Sequence, residues 1–524
     1  MVSIQAAAAV PAAGVTSLLP PAVFLLPIVA GFVILAGGRR HHGFCKTVAL
    51  LTALAVAGMA GWMAWLVVGG TVPSLPGRGL VLSAWRDELR VDALSALVML
   101  VIGVVGLFAT LYSAKYLEHQ PLLDRVGVGR AERRIAIFYA LLVWFLGTMS
   151  WAAVTNNIVM LYVAVEATTL TSGLLVAFFW DRRALEAGYK YLMLLTVGIT
   201  FALFGCVVIY AAGAATGRLT GGEALLISRV REVAGLIPQR SALVGVSLLI
   251  VGFGMKAGLA PFHPWLPDAH AEAPTPVSVL LSGVMINVAL YALARTVSIF
   301  FPVLPQLTVF LVALGAFSML LGAVMALVQD DLKRLLAYSS VSQMGYVLAG
   351  IALGTYLGAF GGLFHLLNHA LIKALLFMAA GAVIYATGIR RVSGLGGLAS
   401  RMPVTSACFI VGALAIAGFP PFNGFISKLT VYLALADTGL WWAVGVAVFT
   451  SLVTLVAFIR PAIRVFWAAP APGQPALAAT REVPAALWAP MVVLAAVCLL
   501  LGVAPGLAYG LLDRAAVLIA TVGG

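Results

Sequence analysis

Residues 251–278 read VGFGMKAGLAPFHPWLPDAHAEAPTPVS, and this stretch decides how the chain folds. It begins as an apolar helix fit to cross a membrane, but glycines and Pro261 interrupt it shortly after Lys256. Proline removes a backbone donor and clashes with the preceding turn, so we expect the helix to break there. Backbone carbonyls freed at membrane depth must face protein or water. The stretch therefore predicts a broken membrane helix with a charged side chain at the break.

The remainder of the chain fits the same membrane setting. Of its 524 residues, 63% are hydrophobic and only 9% are charged. Apolar runs of about 18–25 residues recur along the sequence, and each is long enough to span roughly 30 Å as a helix. The alternating segments of about 10 residues that mark a closed barrel are not visible. We predict an all-α polytopic membrane protein of about fourteen transmembrane helices.

The excess of basic residues indicates how the chain is oriented in the membrane and does not indicate a nucleic-acid partner. The net charge of +13 comes from arginines that cluster in short loops. With the N-terminus outside, the cytoplasmic loops collect twice as many Lys and Arg residues as the opposite side. No basic region precedes the first apolar run, so a cleaved signal peptide is not expected. We predict a bacterial inner-membrane protein with both termini on the periplasmic face, and surface connections at 70–91 and 469–484.

The four cysteines are scattered singly, without a CxxC or Cys/His cluster. We therefore expect no iron–sulfur cluster, structural zinc or other cofactor in this chain. The segment 329–346 carries its acids at a predicted cytoplasmic helix start, where Lys333 and Arg334 are expected as topology anchors. The hydroxyl and amide side chains that follow it favour a hydrated half-channel. These are Ser339, Ser340, Ser342, Gln343 and Tyr346.

Two short matches indicate an internal repeat. GLAPFH at 258–263 recurs as GFPPFN at 418–423, and VVIYAAG at 207–213 recurs as AVIYATG at 382–388. An odd number of helices separates the two units, so the second would be inverted, which is typical of transporters. The predicted divisions are 1–134 (helices 1–3), 135–262 (first five-helix unit), 263–304 (helix 8), 305–436 (second, inverted unit) and 437–524 (helices 13 and 14).

Glu166 and Lys190 lie in neighbouring apolar spans, predicted at 157–180 and 186–213. A buried carboxylate and a buried ammonium on adjacent helices are expected to pair, because either charge alone would be desolvated. The pair is interpreted as a switch whose opening changes the field at nearby titratable groups. A static clamp between the two helices is the alternative.

Two further lysines adjoin helix breaks. Lys256 stands before Pro261 in a span predicted at 241–262, and Lys428 follows Pro420 and Pro421 in a span at 404–436. A flexible, ionisable ammonium beside a hydrated break suits a transient proton carrier. The alternative for each is snorkelling to a membrane interface.

His365, His369 and Lys373 stand at i, i+4 and i+8, so one helix face carries all three, about 6 Å apart per step. An i, i+4 histidine pair can also bind metal. No acid or thiol stands nearby in the sequence, and a proton relay through two imidazoles and an amine fits the apolar setting better.

Four of these segments carry a family resemblance. They are KAGLAPFHPWLPDAHAEAPTPVSVLLSG (256–283), QDDLKRLLAYSSVSQMGY (329–346), HLLNHALIKALLF (365–377) and GFPPFNGFISK (418–428). Together they resemble the antiporter-like proton-pumping subunits of respiratory complex I. The same superfamily includes Mrp-type sodium/proton antiporters and energy-converting membrane-bound hydrogenases. The match covers roughly residues 90–467.

The resemblance implies two inverted five-helix bundles with broken seventh and twelfth helices, and a proton path along the central plane of the membrane. It implies a role for each matching residue: Glu166 and Lys190 as the switchable pair, Lys256 as the central carrier, His365, His369 and Lys373 as the bridge, and Lys428 as the terminus. It also implies membrane partner subunits and a peripheral redox arm, on which iron–sulfur clusters and a NiFe centre would lie.

One departure concerns the eighth span. Many relatives carry a lysine or histidine there, but this chain offers Ser282 and Asn287, which do not titrate. That pattern is similar to component F of hydrogenase-4, which favours a group 4 [NiFe]-hydrogenase or formate hydrogenlyase complex. The alternatives are an Mrp-type antiporter subunit carrying protons or sodium, and a partner in an inorganic-carbon uptake complex.

Overall fold

A computed structural model describes residues 15–37, 42–69, 81–119, 128–469 and 480–520. Twelve of its helices are long and apolar enough to cross a membrane. The prediction of an all-α polytopic fold is therefore confirmed, while the count of fourteen crossings stays a prediction. Residues 70–80 of the first predicted connection and 470–479 of the second lie outside the described residues.

The N-terminal part holds four long helices and a small three-stranded sheet. Strand β1 runs parallel to β2, which pairs antiparallel with β3. These elements are β1 (Val15–Thr16), α1 (Leu19–Gly37), α2 (His42–Gly69), β2 (Leu82–Ala84), β3 (Leu89–Val91), α3 (Ala93–Tyr116) and α4 (Val128–Val154).

The middle of the chain follows as α5 (Ile158–Val176), α6 (Arg182–Ala214), α7 (Ile227–Val233), α8 (Gln239–Lys256), α9 (Trp265–Glu272), α10 (Thr275–Leu280) and α11 (Ile286–Val297). The remainder comprises α12 (Gln306–Leu327), α13 (Leu332–Ala352), α14 (Tyr356–Thr387), α15 (Pro403–Ala417), α16 (Asn423–Asp437), α17 (Trp441–Ala462), α18 (Ala485–Val503) and α19 (Gly506–Ile519).

Helices α8 and α9 are the two halves of the first broken helix. Helix α8 ends at Lys256, earlier than the predicted end at 262, because Gly258 turns the chain into the left-handed region at φ 71°. The Gly258 amide donates back to the Met255 carbonyl, and a cis Ala260–Pro261 bond follows. This arrangement leaves the Lys256 side chain at the C-terminal end of a helix, where the helix dipole favours a cation.

The second break repeats this construction. Helix α15 ends at Ala417, Gly418 has a φ of 81°, and a cis Pro420–Pro421 bond precedes α16. The predicted single span at 404–436 is therefore two half-helices, and the prediction of two broken helices is confirmed. The boundaries of the five-helix units stay a prediction.

The core of the fold surrounds α10–α11 and α13. A five-residue π-helix, Leu281–Met285, joins α10 to α11. The most apolar 18-residue windows within 275–300 and 332–352 are completely buried. Because protein surrounds these helices on every side, the polar side chains they carry contact other side chains rather than lipid. The candidate site lies along them.

Candidate functional site

The predicted chargeable residues divide into a buried group and an accessible one. Five of them are at most 1% exposed: Lys256, His365, His369, Lys373 and Lys428. Glu166 is partly buried. The Lys190 side chain is 48% exposed and lies at the mouth of a charged cavity instead of inside the core.

The predicted pairing of Glu166 with Lys190 is wrong. Lys190 Nζ lies 2.6 Å from a Glu186 oxygen and 3.6 Å from Asp268 Oδ2. Glu166 instead accepts hydrogen bonds from the Thr169 hydroxyl at 3.0 Å and the Thr196 hydroxyl at 3.2 Å. Thr196 stands six residues beyond Lys190 on α6, which is about 9 Å of helix. Glu166 is therefore held further along α6 than Lys190, whereas Glu186 and Asp268 lie close enough to contact the Lys190 ammonium.

Glu166 is connected to Lys256. The Thr169 hydroxyl donates to Glu166 and accepts from Lys256 Nζ at 2.9 Å, so one side chain bridges the two charged groups. Lys256 Nζ also lies 3.4 Å from the Tyr191 hydroxyl and 5.5 Å from the centre of that ring. The ammonium is thus held by hydroxyls and a ring face within the core, and no carboxylate of the described residues bonds to it directly.

The Tyr191 hydroxyl leads on towards the eighth span. It lies 2.5 Å from Ser172 Oγ and 3.1 Å from Met285 Sδ, in the π-helix. One turn earlier, Ser282 Oγ lies 2.7 Å from Ser340 Oγ. The eighth span therefore carries a hydroxyl pair at this position, and Met285 separates the pair from Tyr191.

Lys373 meets this hydroxyl pair from the other side. The Leu336 carbonyl accepts from Ser340 Oγ at 3.0 Å and from Lys373 Nζ at 2.8 Å, and Lys373 Nζ also donates to Ser339 Oγ. Asn287 contributes less, because its amide donates to the Gly283 carbonyl of its own helix. Contacts between polar groups therefore extend from Lys256 to Tyr191 and from Ser282 to Lys373. The part of the predicted route that lacks such contacts lies between Tyr191 and Ser282.

The histidines of α14 lie next along the same helix. His365 contacts Ser427 Oγ at 3.0 Å through Nδ1 and Gln343 Oε1 at 3.1 Å through Nε2. Neither ring nitrogen of His369 has a hydrogen-bond partner among the described residues. In the described part of the chain, no group of three His, Cys, Asp or Glu side chains comes together that could hold a metal ion.

Lys428 occupies the second helix break. Its Nζ donates to the Ile416 carbonyl at 2.9 Å and to Ser451 Oγ at 3.0 Å, and it lies 4.5 Å from the centre of the Tyr346 ring. The last carbonyls of a helix lack intrahelical partners, so the end of α15 supplies an acceptor for the ammonium. Ser427, which contacts His365, directly precedes Lys428 and joins the histidine helix to this terminus.

Sequence reasoning missed His270, which is fully buried on α9. Its Nδ1 lies 2.8 Å from the Leu266 carbonyl, whereas its Nε2 has no partner among the described residues. Its ring centre lies 5.7 Å from that of Phe377 on α14, the helix that also carries His369 and Lys373. The sequence does contain a signal for this residue. His270 follows Asp268 by two residues, so the two side chains lie on opposite sides of the half-helix.

Lys333 is buried, contrary to its expected place as a loop anchor. It is only 4% exposed and donates to the Ala273 carbonyl at 2.6 Å. That carbonyl belongs to the residue after the end of α9, where backbone acceptors lack helical partners. Lys333 therefore fixes the junction between the half-helix and the eighth span.

The mouth of the charged cavity is lined by ion pairs that hold α9. Arg334 Nη1 lies 2.9 Å from Asp268 Oδ1, and Arg390 pairs with Glu272 at 3.2 Å and with Asp331 at 2.8 Å. Although burial acts against its charge, these two carboxylates raise the pKa of the Arg390 guanidinium. Both acids of the half-helix are thus paired with cations from other elements.

A helical membrane protein with successive buried lysines and histidines between two broken helices belongs to the ion-translocating class. Residues 155–454 match the family described as NADH:quinone oxidoreductase/Mrp antiporter, transmembrane, and residues 87–125 match the complex I chain 5 N-terminus. The chain belongs to this family. The resemblance seen in the sequence is confirmed.

Individual relatives agree with this assignment. The chain is 35% identical to NADH-quinone oxidoreductase subunit N of Desulforudis audaxviator over 72% of each chain. It is 34% identical to a hydrogenase-4 component F homolog of Methylacidiphilum infernorum, over 65% of this chain and 71% of the relative. It superposes with a TM-score of 0.84 on a chain of the archaeal membrane-bound sulfane sulfur reductase, at 28% identity, covering 96% of this chain and 98% of that one.

Proposed function

We propose that this chain translocates protons as the membrane subunit of a redox-driven complex of the group 4 [NiFe]-hydrogenase, formate hydrogenlyase or complex I-like type. The observation that carries the proposal is the series of lysines and histidines buried at 1% exposure or less, each adjoining polar groups or the next titratable residue. Charged groups at membrane depth are costly, and they are typical of ion pathways. Membership of the family supports the same function.

The path follows the contacts of the core. A proton held at Lys256 passes through Tyr191 towards the Ser282–Ser340 hydroxyl pair, and water beside Met285 completes this step. It then reaches Lys373. His270 Nε2 and both ring nitrogens of His369 have no partner among the described residues, and these two rings accept and release protons alongside Lys373.

The second half of the path runs from α14 to the second break. His365 transfers the proton through Ser427 to Lys428, which releases it to the outer side by way of Ser451. Glu166 acts on the start of this path through Thr169, because its negative charge stabilises the protonated form of Lys256. A change in the charge near Glu166 therefore controls when Lys256 gives up its proton.

Redox chemistry belongs to partner subunits in this proposal. This chain would carry no cofactor, and iron–sulfur clusters and a NiFe centre would lie in a peripheral arm. The solved relatives are chains of multi-subunit membrane complexes, which supports membrane partners for this chain. Glu166 and the exposed Thr196 face outwards from α5 and α6, so a neighbouring membrane subunit would shield them from lipid.

The chain is a multi-pass membrane protein. We place it in the bacterial inner membrane with both termini on the periplasmic face. The bias of Lys and Arg towards the opposite loops supports this orientation.

An Mrp-type antiporter subunit is the second candidate, because the description of the matching family names both classes. Such a subunit would exchange sodium for protons without electron transfer.

Purification of the native complex separates the two candidates. The proposal predicts co-purifying redox subunits with bound iron, together with nickel where the complex is of the hydrogenase type, and acidification of inverted membrane vesicles when the electron donor is added. A complex without nickel, iron or any bound redox cofactor, which moves protons only against a sodium gradient, would support the antiporter instead.

A further inference from the structure

Asn368 and Asn423 form a reciprocal pair of side chains beside the second helix break. Both residues are fully buried, Asn368 on α14 and Asn423 at the start of α16. Asn368 Nδ2 donates to the Asn423 backbone carbonyl at 3.0 Å, and Asn423 Nδ2 donates to Asn368 Oδ1 at 2.9 Å. A buried amide needs such partners, because a buried polar group without a hydrogen bond is costly. The pair therefore joins the histidine helix to the helix that carries Lys428.

The pair also fixes the orientation of the Asn368 amide. An asparagine side chain has an acceptor oxygen on one side and a donor amino group on the other. Because Asn423 Nδ2 occupies Asn368 Oδ1, the amino group of Asn368 faces the Asn423 carbonyl. In the repeat, His263 stands at the position of Asn423, and its Nδ1 has no partner among the described residues. The amide pair thus has no counterpart at that position of the first break.

The Asn423 carbonyl is a competing acceptor for the Ser427 hydroxyl. Ser427 Oγ lies 3.0 Å from His365 Nδ1, 3.4 Å from the Asn423 carbonyl and 3.3 Å from the Gly424 carbonyl. A helical serine readily donates to the carbonyl four residues before it, at the expense of other contacts. A carbonyl has two lone pairs, and here the helical N–H of Ser427 and the Asn368 amide use both. The shortest contact left to the Ser427 hydroxyl is the one with His365.

We infer that Asn368 and Asn423 are positioning residues for Ser427. By occupying the competing carbonyl, they turn the Ser427 hydroxyl towards His365. In the transfer, protonated His365 gives its Nδ1 proton to Ser427 Oγ, and the proton of the serine hydroxyl leaves towards Lys428. Neither amide titrates, so the pair itself takes up no proton. The inference rests on the proposed function for its meaning, but the hydrogen bond that it describes is measurable without transport.

The first measurement is spectroscopic and uses the full complex. The complex is grown with isotope-labelled histidine and reconstituted in lipid, and the His365 signals in the nitrogen NMR spectrum are those absent from the His365→Gln complex. Asn368→Leu is expected to move the His365 Nδ1 signal to its position in Ser427→Ala, because both changes remove the same hydrogen bond. Thr430→Val is the matched control. The Thr430 hydroxyl donates within α16, to Ile426, so its loss is expected to leave the signal in place.

The second measurement is a double-mutant cycle on the donor-driven acidification of inverted vesicles. Asn368→Leu and Ser427→Ala are each expected to slow acidification by about tenfold. Because Asn368 acts through Ser427, the double variant is expected to be no slower than the slower single variant. Losses that multiply to about a hundredfold, as independent effects do, would overturn the inference. An unchanged His365 signal in Asn368→Leu would overturn it as well.

A further variant separates positioning from packing. Asn368→Leu leaves the Asn423 amide unpaired and is expected to lower the thermal unfolding midpoint, whereas leucine at both positions is expected to restore it, because both polar partners are then removed. The acidification rate and the His365 signal of this double variant are expected to stay those of Asn368→Leu. Recovery of the native signal and rate would assign the amides to packing alone and overturn the inference. The expected signal shifts in a complex that moves no protons would count against the proposed function and leave the inference intact.

Discussion

Replacement of Thr169 by valine is expected to slow proton translocation by about 10- to 100-fold. The Thr169 hydroxyl accepts from Lys256 Nζ at 2.9 Å and donates to Glu166 at 3.0 Å. Valine preserves the branched shape of threonine but has no hydroxyl, so the change removes the bridge with little effect on packing. Glu166 then acts on Lys256 only through space.

The magnitude follows from the bond that is lost. A hydrogen bond to a charged group contributes about 1.5–3 kcal/mol. Each ~1.36 kcal/mol in a barrier changes a rate about tenfold. The Tyr191 hydroxyl, at 3.4 Å from Lys256 Nζ, is too distant to replace the bond without movement of the ring.

The assay is donor-driven acidification of inverted vesicles containing the complex, with the electron-transfer rate recorded in the same sample. Thr169→Ser is the matched control, because it retains the hydroxyl and loses only a methyl group. The serine variant is expected to remain near the native rate. Equal rates in the valine variant and the native complex, or equal losses in both variants, would refute the bridging role of this hydroxyl.

Three further predictions concern other parts of the path and fold. Ser340→Ala breaks the link between Ser282 and the Leu336 carbonyl and is expected to slow vesicle acidification by about tenfold. A native rate of acidification would exclude the Ser282–Ser340 hydroxyl pair from the proton path. His270→Phe is expected to reduce acidification without changing the thermal unfolding midpoint, and a lower midpoint would indicate a packing role instead. Arg295→Leu is expected to destabilise the protein by about 3–5 kcal/mol in detergent unfolding, because Asp92, 2.6 Å away, becomes a buried unpaired charge.

The loss of stability in Arg295→Leu has a pH dependence with a defined sign. Burial acts to raise the pKa of the Asp92 carboxyl, but Arg295 holds it below its ordinary value of 3.8. A lowered folded-state pKa stabilises the fold at pH values above 3.8 and loses this contribution as the pH falls further. The Arg295→Leu variant is therefore expected to lose stability most at neutral pH and least in acid. A difference from the native protein that does not shrink in acid would contradict the ion pair.

The sequence was informative where one local pattern determines the structure. Pro261 and the Pro420–Pro421 pair predicted both helix breaks, since proline and glycine act within one turn of their own position. The fifth span was predicted at 157–180 and runs from Ile158 to Val176. The spacing of His365, His369 and Lys373 correctly placed them on one helix, because helical periodicity is a local property.

The contacts that the sequence did not predict depend on residues far apart in the chain. Lys190 contacts Glu186 and Asp268 rather than Glu166, and Asp268 lies on α9, 78 residues later in the chain. The offset of His270 from Asp268 places it on the opposite face of the half-helix, but the burial of that face depends on residues far away in the chain, such as Phe377. Lys333 is buried because it donates a hydrogen bond to the carbonyl that follows the end of α9. The rule that assigns Lys and Arg to loops on one side of the membrane does not consider such contacts.

Lys256 is the residue on which the proposed path depends most directly. The decisive measurement is the proton-to-electron ratio of the reconstituted complex with Lys256→Ala and, separately, Lys256→Arg. Arginine retains the positive charge but does not release its proton, so it separates a carrier from a fixed charge. We expect electron transfer to continue while the ratio falls in both variants. An unchanged ratio in the Lys256→Ala complex would contradict the proposed path.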